Sequence, residues 1–236
     1  MDCPEVTVII ALHNEEVAIG ADLDVIREAM DLAGRPYEVI VVGDGSSDGM
    51  ADVVRARPWV RLLHHTENRG TGAAIMTGIR HAAAPVIAMT YGDGTYPNHD
   101  LPKLIACIGE YDMVVGARKY ERGTFRWLRN PTKSFIRRLG SYLTETRIPD
   151  LDSGLRAFKA DPARKFFPLL PNGHSWGTMI TIAFLSSGHS VKYVPIDYFE
   201  RKGRGSQFHP LRDTYSYLLL VIPALTYFNR SRSSCR

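Results

Sequence analysis

The stretch "YEVIVVGDGSSDG" (37–49) joins an apolar run to a loop of glycine, aspartate and serine. Residues 37–42 are typical of a buried strand, and the glycines that follow indicate that the strand ends there in a turn. The same change from apolar run to polar loop occurs in "EVTVIIALHNEE" (5–16) and in "APVIAMTYGDGTYP" (84–97). Strands that are almost continuously apolar are typical of a parallel sheet covered on both faces. The repeated pattern therefore predicts a parallel sheet whose strands end in polar loops.

Strands and helices alternate along the chain, which predicts an α/β fold with a mostly parallel central sheet and helices on both faces. Apolar residues with helical spacing follow the first strand, at Val17, Ile19, Leu23, Ile26 and Met30. A core helix and a further strand are expected within 173–196. The other strands are expected at 5–12, 37–42, 60–65, 84–89 and 111–118.

Each unusual polar loop follows one of these strands or opens the next helix. Ligands of such sheets bind beyond the carboxyl ends of the strands. A single carboxylate between glycines, such as Asp93, is compatible with a simple turn, but several such loops at one edge indicate a binding site. The loops contain His13, Asn14 and Glu15; Asp44, Gly45 and Ser46; Arg69 and Gly70; Asp93 and Gly94; and Arg118.

The overall composition is that of an ordinary globular protein, with 236 residues, 44% hydrophobic and 23% charged. The net charge is +4 and the isoelectric point is about 9.0. These values allow an anionic ligand or a membrane surface and give no indication of a nucleic-acid partner. The basic residues are concentrated in 118–138 and in 201–212.

The cysteines and histidines do not suggest a metal centre. Cys3, Cys107 and Cys235 lack metal-ligand spacing and cannot form a paired disulfide framework. The N-terminus has no basic-then-apolar signal, so a reducing, cytoplasmic setting is expected. The adjacent His64 and His65 end a strand without partner ligands at a suitable spacing, so a structural role is expected for them.

The two acidic glycine loops favour different parts of one ligand. Gly43, Gly45 and Gly49 do not have the G-x-G-x-x-G spacing and follow the second strand, so a dinucleotide site is disfavoured. Asp44 suits hydrogen bonds from a ribose or a base N–H. Asp93 suits Mg²⁺ or Mn²⁺ held against a diphosphate. A nucleoside diphosphate with its metal ion is the simplest ligand for both loops.

The chain resembles GT-A-type glycosyltransferases of the polyprenyl-phosphate (dolichol-phosphate mannose synthase-like) group, up to about Thr214. The motifs that carry the resemblance are "VTVIIALHNEE", "VIVVGDGSSDG", "NRGTGAAIMTGIRHA", "YGDGTYP", "GARKYERG", "DLDSGLRAF" and "VPIDYFERKGRGSQFHPLRDT". The resemblance implies a GT-A fold, with a Rossmann-like nucleotide-binding half, in residues 1–214. It also implies transfer of a hexosyl unit from a UDP- or GDP-sugar to a polyprenyl phosphate. The expected cofactor is Mg²⁺ or Mn²⁺, bound through an Asp-x-Asp motif.

The resemblance also assigns residues to the two substrates. Asp93 matches the second Asp of Asp-x-Asp and is the expected metal ligand. The nucleotide-sugar set comprises His13, Asn14, Glu15, Asp44, Ser46, Arg69, Gly72 and Asp93. The acceptor-phosphate set comprises Arg118, Arg129, Lys133, Arg201 and Ser206. The residues expected to carry catalysis are Asp93, Asp150, Arg118 and Arg201.

The expected chemistry needs electrostatic stabilisation more than a strong base. The acceptor phosphate is already ionised near neutral pH, and the main tasks are to stabilise the leaving diphosphate and to hold two anions together. Guanidinium groups match phosphate oxygens in a bidentate way, although a solvated basic face is the alternative for these cations. Asp150 or Asp152 is expected to orient the acceptor, to cap a turn or to pair with Arg156.

Several positions depart from the group's pattern. Tyr91 stands where the first Asp of Asp-x-Asp belongs, Gly43 replaces the first Asp of D-D-G-S, and Gln207 replaces the lysine of the C-terminal loop. Each change removes a charge that would help to neutralise or orient the diphosphate. The alternative function is therefore a catalytically weak or silent nucleotide-sugar binder. A nucleotidyltransferase is disfavoured because the chain has no glycine-rich triphosphate loop.

Residues 215–236 form a separate C-terminal segment in this interpretation. Its stretch 215–228 carries no charge and is interrupted by Pro223, and it is shorter than the roughly 20 apolar residues that span a bilayer. A core helix, an interfacial helix and the remnant of a longer anchor all remain open. An interfacial helix suits a lipid acceptor, so peripheral association with the cytoplasmic membrane face is expected.

Overall fold

The computed structural model describes residues 3–119, 141, 148–173 and 175–200. Within these residues, seven strands form one sheet. The strands are β1 (Val6–Leu12), β2 (Tyr37–Asp44), β3 (Val60–His65), β4 (Val86–Tyr91), β5 (Met113–Arg118), β6 (Arg156–Lys159) and β7 (Val191–Ile196). The helices are α1 (Glu16–Ala33), α2 (Met50–Arg55), α3 (Thr71–His81), α4 (Leu101–Ile105), α5 (Ala160–Lys165) and α6 (Trp176–Ser186), with 3₁₀ turns at Asn98–Asp100 and Phe167–Leu169.

The strand order is β3-β2-β1-β4-β6-β5-β7, and every pairing is parallel except those of β6. The prediction of a mostly parallel α/β sheet is confirmed, as are the five predicted strands and the later helix and strand, α6 and β7. Strand β6, which pairs antiparallel with β4 and β5, was not predicted. Only four residues long, it lies inside a motif that is otherwise rich in polar residues.

Two hydrophobic layers cover the two faces of the sheet. Alternate residues of β1 point to opposite faces, as the pleat of a strand requires. Ile9 packs in the layer formed with α3, α5 and α6, whereas Ile10 packs in the layer formed with α1, α2 and α4. Helices on both faces were predicted and are present.

Helix α1 buries the stripe that its spacing predicted, with one exception. Ile19, Leu23, Ile26 and Met30 are buried, but Val17 is 80% exposed. The assignment of Val17 to the core face was wrong because Val17 lies two residues, about 200° of helical turn, from Ile19.

The strand directions bring the polar loops to one edge of the sheet. The parallel strands β1, β2, β3, β4 and β5 all end there. Because β6 runs in the opposite direction, it begins at that edge, and the loop 150–155 that precedes it arrives beside the end of β4. None of the helices in the described part of the chain is long and apolar enough to cross a membrane. The predicted segment 215–236 lies outside the described residues.

Candidate active site

The loops that follow β1 and β2 are joined by reciprocal hydrogen bonds. The Asn14 amide donates to Ser46 Oγ (3.1 Å), and the Ser47 amide donates to Asn14 Oδ1 (2.8 Å). Asn14 has a φ of 56°, a left-handed conformation that asparagine tolerates better than most residues. His13 Nδ1 lies 2.7 Å from the carbonyl oxygen of Asp44. The structure therefore brings together four residues of the predicted nucleotide-sugar set, and Glu15 follows as a buried residue at the start of α1.

Asp44 links the β2 loop to the loop before α3. Its Oδ1 accepts the Arg69 amide (2.9 Å), and its Oδ2 accepts the Gly70 amide (2.8 Å). His65 Nδ1 also lies 2.7 Å from Asp44 Oδ1, and the Asp44 side chain is only 4% exposed. The Asp44 oxygens were predicted to accept hydrogen bonds from a ribose or a base. In the structure they accept hydrogen bonds from the backbone of a neighbouring loop. Contact between Asp44 and a nucleotide stays a prediction.

Asp93 lies in a tight turn after β4. Its Oδ1 accepts the Thr95 amide (3.1 Å) and the Thr95 hydroxyl (2.6 Å). Burial raises the pKa of the Asp93 carboxyl, and the hydrogen bonds from Thr95 oppose that rise. The next residue, Gly94, has a φ of 72° and donates its amide to Asp22 Oδ2 (2.9 Å). The carboxyl group thus shapes the turn, which was the alternative to a metal ligand, and it lies at the end of β4.

The oxygen donors around Asp93 match a hard divalent cation. The described residues contain no group of three or more His, Cys, Asp or Glu arranged to hold a metal ion. Asp93 and Thr95 nevertheless supply a carboxylate and a hydroxyl, the ligand types that Mg²⁺ and Mn²⁺ prefer. Mg²⁺ usually keeps waters and takes substrate phosphate oxygens. The site therefore fits a cation that would take most of its ligands from a nucleotide diphosphate.

Tyr91, which the resemblance matches to the first Asp of Asp-x-Asp, packs on the loop before β6. Its ring lies against Gly154 so closely that a Cβ added at Gly154 would overlap it. The Tyr91 and Tyr96 rings meet edge to face with centroids 5.9 Å apart, and Tyr96 Oη accepts the Gly154 amide (2.8 Å). Burial raises the pKa of the Tyr91 phenol, and the charge of Asp152 adds to the rise. Tyr91 therefore joins the β4 loop to the 150–155 loop by packing.

Arg118 is bound by Asp150. Its Nε donates to Asp150 Oδ2 (2.7 Å), its Nη2 donates to Oδ1 (2.9 Å), and its side chain is 8% exposed. Burial opposes ionisation of Asp150, but the hydrogen bonds and charge of Arg118 outweigh it and hold the pKa of that carboxyl below its usual range. Of the roles left open for Asp150, turn capping and pairing are both observed, because its Oδ1 accepts the Asp152 amide (3.1 Å) and its pairing partner is Arg118. A contact between Arg118 and the acceptor phosphate stays a prediction.

Arg156 is buried in the core beneath this loop. It donates to the carbonyl oxygens of Ser153 and Gly177 and to the Thr181 hydroxyl. The guanidinium therefore connects the 150–155 loop to α6, and its role is to fix that loop to the scaffold.

Sequence reasoning missed several residues that shape the site. Asp22 accepts hydrogen bonds from Gly94 and Asn98. The Tyr198 ring meets the Tyr96 ring edge to face and lies under the Arg118 guanidinium. Asp22 had a detectable signal, because it is a carboxylate on the buried stripe of α1. The predicted residues Arg129, Lys133, Arg201 and Ser206 lie outside the described residues.

The fold and the loop cluster together define a GT-A-type protein, a mostly parallel α/β sheet with its candidate nucleotide site at the carboxyl edge. A family model described as Glycosyl transferase family 2 matches residues 7–167. The chain belongs to this family.

The relatives are named as transferases acting on polyprenyl phosphates. A dolichyl-phosphate hexose transferase of Haloferax volcanii is 31% identical over 201 residues, covering 84% of this chain and 85% of that protein. An undecaprenyl-phosphate mannosyltransferase of Micrococcus luteus is 28% identical over 212 residues, covering 84% of each. An undecaprenyl-phosphate 4-deoxy-4-formamido-L-arabinose transferase of Edwardsiella ictaluri is 27% identical over 208 residues. This last match covers 86% of the chain but spans only 62% of the relative's length.

Solved structures confirm the predicted GT-A fold. Glucosyl-3-phosphoglycerate synthase from Mycobacterium tuberculosis, in complex with Mn²⁺, UDP and phosphoglyceric acid, superposes with a TM-score of 0.72. The superposition covers 96% of this chain and 78% of the synthase, at 18% identity. At this identity the likeness concerns the fold alone.

Proposed function

We propose that the chain transfers a hexosyl unit from a nucleoside-diphosphate sugar to a polyprenyl phosphate, with Mg²⁺ or Mn²⁺. The observation that carries the proposal is the meeting of the 13–16, 44–49, 68–72 and 91–95 loops at the carboxyl edge of the sheet. The names of the relatives support the acceptor class. The synthase complex with UDP and Mn²⁺ supports a nucleotide and a divalent cation in this fold.

The donor side is the most completely assembled part of the site. The nucleoside would bind against the interlocked loops after β1 and β2, and the diphosphate would lie towards Asp93. A bound divalent cation would neutralise charge on the leaving diphosphate. Asp93 is held ready for that role by Thr95, whose two hydrogen bonds fix one carboxylate oxygen. The donor panel described below determines which nucleoside, uridine or guanosine, and which sugar the donor carries.

The acceptor side needs no strong general base. A phosphate monoester is ionised near neutral pH and attacks the sugar carbon directly. The chain's task is therefore to hold two anions together, which cationic side chains do in a site that excludes water. Arg118, Arg129, Lys133, Arg201 and Ser206 are proposed for this task. Asp150 would set the position of Arg118.

A polyprenyl acceptor places the reaction at a membrane. We therefore include peripheral association with the cytoplasmic membrane face, through residues 215–236, in the proposal. A silent nucleotide-sugar binder is not favoured, because the relatives are named as transferases and Asp93 retains its carboxylate in a defined turn.

Two measurements test the proposal. Calorimetry with UDP- and GDP-sugars, with and without Mn²⁺, identifies the donor, and a radiolabel assay then measures transfer to undecaprenyl or dolichyl phosphate in detergent. We expect metal-dependent binding of one donor and label in the lipid fraction. Binding across the panel without transfer to either lipid would contradict the proposal and establish a silent binder.

A further inference from the structure

Two adjacent histidines at the end of β3 have opposite environments. His65 is buried and His64 is exposed, because successive side chains of a strand point to opposite faces. The buried histidine contacts Asp44, a member of the predicted nucleotide-sugar set.

The His65 ring bridges two elements that flank the site. Its Nδ1 lies 2.7 Å from Asp44 Oδ1 at the end of β2, and its Nε2 lies 3.0 Å from the Thr77 hydroxyl of α3. An ionised carboxylate only accepts hydrogen bonds, so Nδ1 carries the proton in this contact. In the neutral ring, Nε2 then accepts the hydroxyl proton of Thr77. Both ring nitrogens are therefore engaged, and they fix the ring in one orientation.

The oriented carboxylate holds the loop that opens α3. Asp44 accepts the amides of Arg69 and Gly70 on its two oxygens. On its other side the loop lies against the 171–172 backbone, and the Ala73 amide donates to Asn172 O (3.0 Å). Gly70 has a φ of 97°, and a Cβ there would overlap the Asn172 carbonyl. The loop thus lies between a backbone segment and a carboxylate that contacts His65.

We propose that His65 is a positioning residue for donor binding, which acts by orienting Asp44 so that the Arg69–Gly70 backbone keeps the shape that receives the nucleotide diphosphate. The link to sugar transfer rests on the proposed function. The hydrogen bonds themselves do not.

Three variants distinguish the contact made by His65 Nδ1 from the contact made by Nε2. His65→Asn places an amide N–H where Nδ1 lies and preserves the contact with Asp44, whereas His65→Gln places its amide where Nε2 lies and loses that contact. His64→Asn changes the exposed neighbour and serves as the matched control. Amide hydrogen exchange by NMR reports the loop directly, calorimetry with UDP and GDP in the presence of Mn²⁺ reports donor binding, and thermal unfolding reports general damage.

We expect His65→Gln to speed exchange at Arg69 and Gly70 by about tenfold, the scale of one lost hydrogen bond. Nucleotide affinity should fall by a similar factor, and in the transfer assay KM should rise for the donor and not for the acceptor. His65→Asn and His64→Asn should stay close to wild type in exchange and affinity.

Unchanged exchange in His65→Gln, equal losses in His65→Asn and His65→Gln, or faster exchange with unaltered affinity would each overturn the proposal. If the wild-type chain binds neither nucleotide, the proposed function fails and the donor-binding role of His65 fails with it. The exchange rates would still show whether His65 holds the loop. A chain that binds nucleotide without transferring sugar would refute the transfer reaction and leave the His65 inference standing.

Discussion

Asp150 accepts two parallel hydrogen bonds from Arg118, the last residue of β5. Arg118 Nε donates to Oδ2 (2.7 Å), and Nη2 donates to Oδ1 (2.9 Å). The Arg118 amide also donates to Asp150 Oδ2 (3.2 Å), and the guanidinium lies 5.3 Å from the centre of the Tyr198 ring. The Asp150 carboxylate therefore connects the loop before β6 to the end of β5 through a buried ion pair.

Replacing Asp150 with asparagine should destabilise the protein strongly. Arg118 would lose the buried carboxylate charge that its guanidinium contacts, and breaking a buried pair in this way costs about 3–5 kcal/mol of the free energy of unfolding. The exposed pair Arg55–Asp52 supplies the control, because Asp52→Asn should cost less than about 0.5 kcal/mol. Urea unfolding monitored by circular dichroism measures both, and equal small losses would show that the buried pair contributes little.

Asp112 should make stability depend on acid pH at the opposite edge of the sheet. The hydrogen bond from Lys159 (2.7 Å) holds the pKa of Asp112 below its usual range, and contacts from Ser190 lower it further. A carboxyl whose folded pKa is depressed contributes stability above its unfolded pKa, near 4, and loses it as the pH falls towards the folded value. Asp112→Asn should therefore lower stability at pH 7 and reduce the loss on acidification below about pH 4. Identical pH profiles for wild type and variant would refute this assignment.

Asp93 should have two separable roles. Asn keeps the oxygen that accepts from Thr95 but loses the charge, whereas Ala loses both. Asp93→Asn should therefore remove the metal dependence of nucleotide binding and change the melting temperature little. Asp93→Ala should cost a further 1 kcal/mol or so, the scale of a lost hydrogen bond. Calorimetry with and without Mn²⁺, together with thermal unfolding, measures the two effects. Unaltered metal dependence in Asp93→Asn would show that the carboxylate only forms a turn.

Adding the missing acid at position 91 tests the metal site from the other direction. Tyr91→Asp would place a second carboxylate beside Asp93, and metal-dependent nucleotide binding should become about tenfold tighter, the scale of a charge-assisted contact. Tyr91→Asn is the matched control, since it removes the ring without adding charge. Tighter binding in the absence of metal, or tightening in both variants, would show that the ring and not the missing charge limits affinity.

The edge at which the loops meet could be predicted from the sequence, because the apolar runs of β1, β2 and β4 each pass into a polar loop that contains a carboxylate. The contacts made by these loops could not be predicted. Asp44 holds the backbone of a loop 25 residues further along the chain, and Asp150 binds an arginine 32 residues before it. A residue type indicates which contacts a side chain favours, but the fold decides which partner is near. Strand β6 was missed for the same reason: its four residues form a strand through pairing with β4 and β5, and not through their own periodicity.

Tyr91 and Gly154 should be energetically coupled. Alanine at position 154 would meet the Tyr91 ring, and also the Tyr96 ring at 3.1 Å, so Gly154→Ala should cost about 1–3 kcal/mol through overpacking. In a Tyr91→Ala background the larger overlap is gone, and the same substitution should cost less. A double-mutant cycle by urea unfolding should therefore give a coupling energy of about 1–2 kcal/mol.

Gly173→Ala is the matched control for this cycle, because a Cβ at Gly173 meets nothing within 4 Å. It should cost less than about 0.5 kcal/mol in either background. A cycle in which the two substitutions are additive would mean that the ring and the glycine do not constrain each other. The tyrosine at the first position of the motif would then leave the loop before β6 unaffected. A positive coupling would show instead that the aromatic side chain at the end of β4 fixes the neighbouring loop.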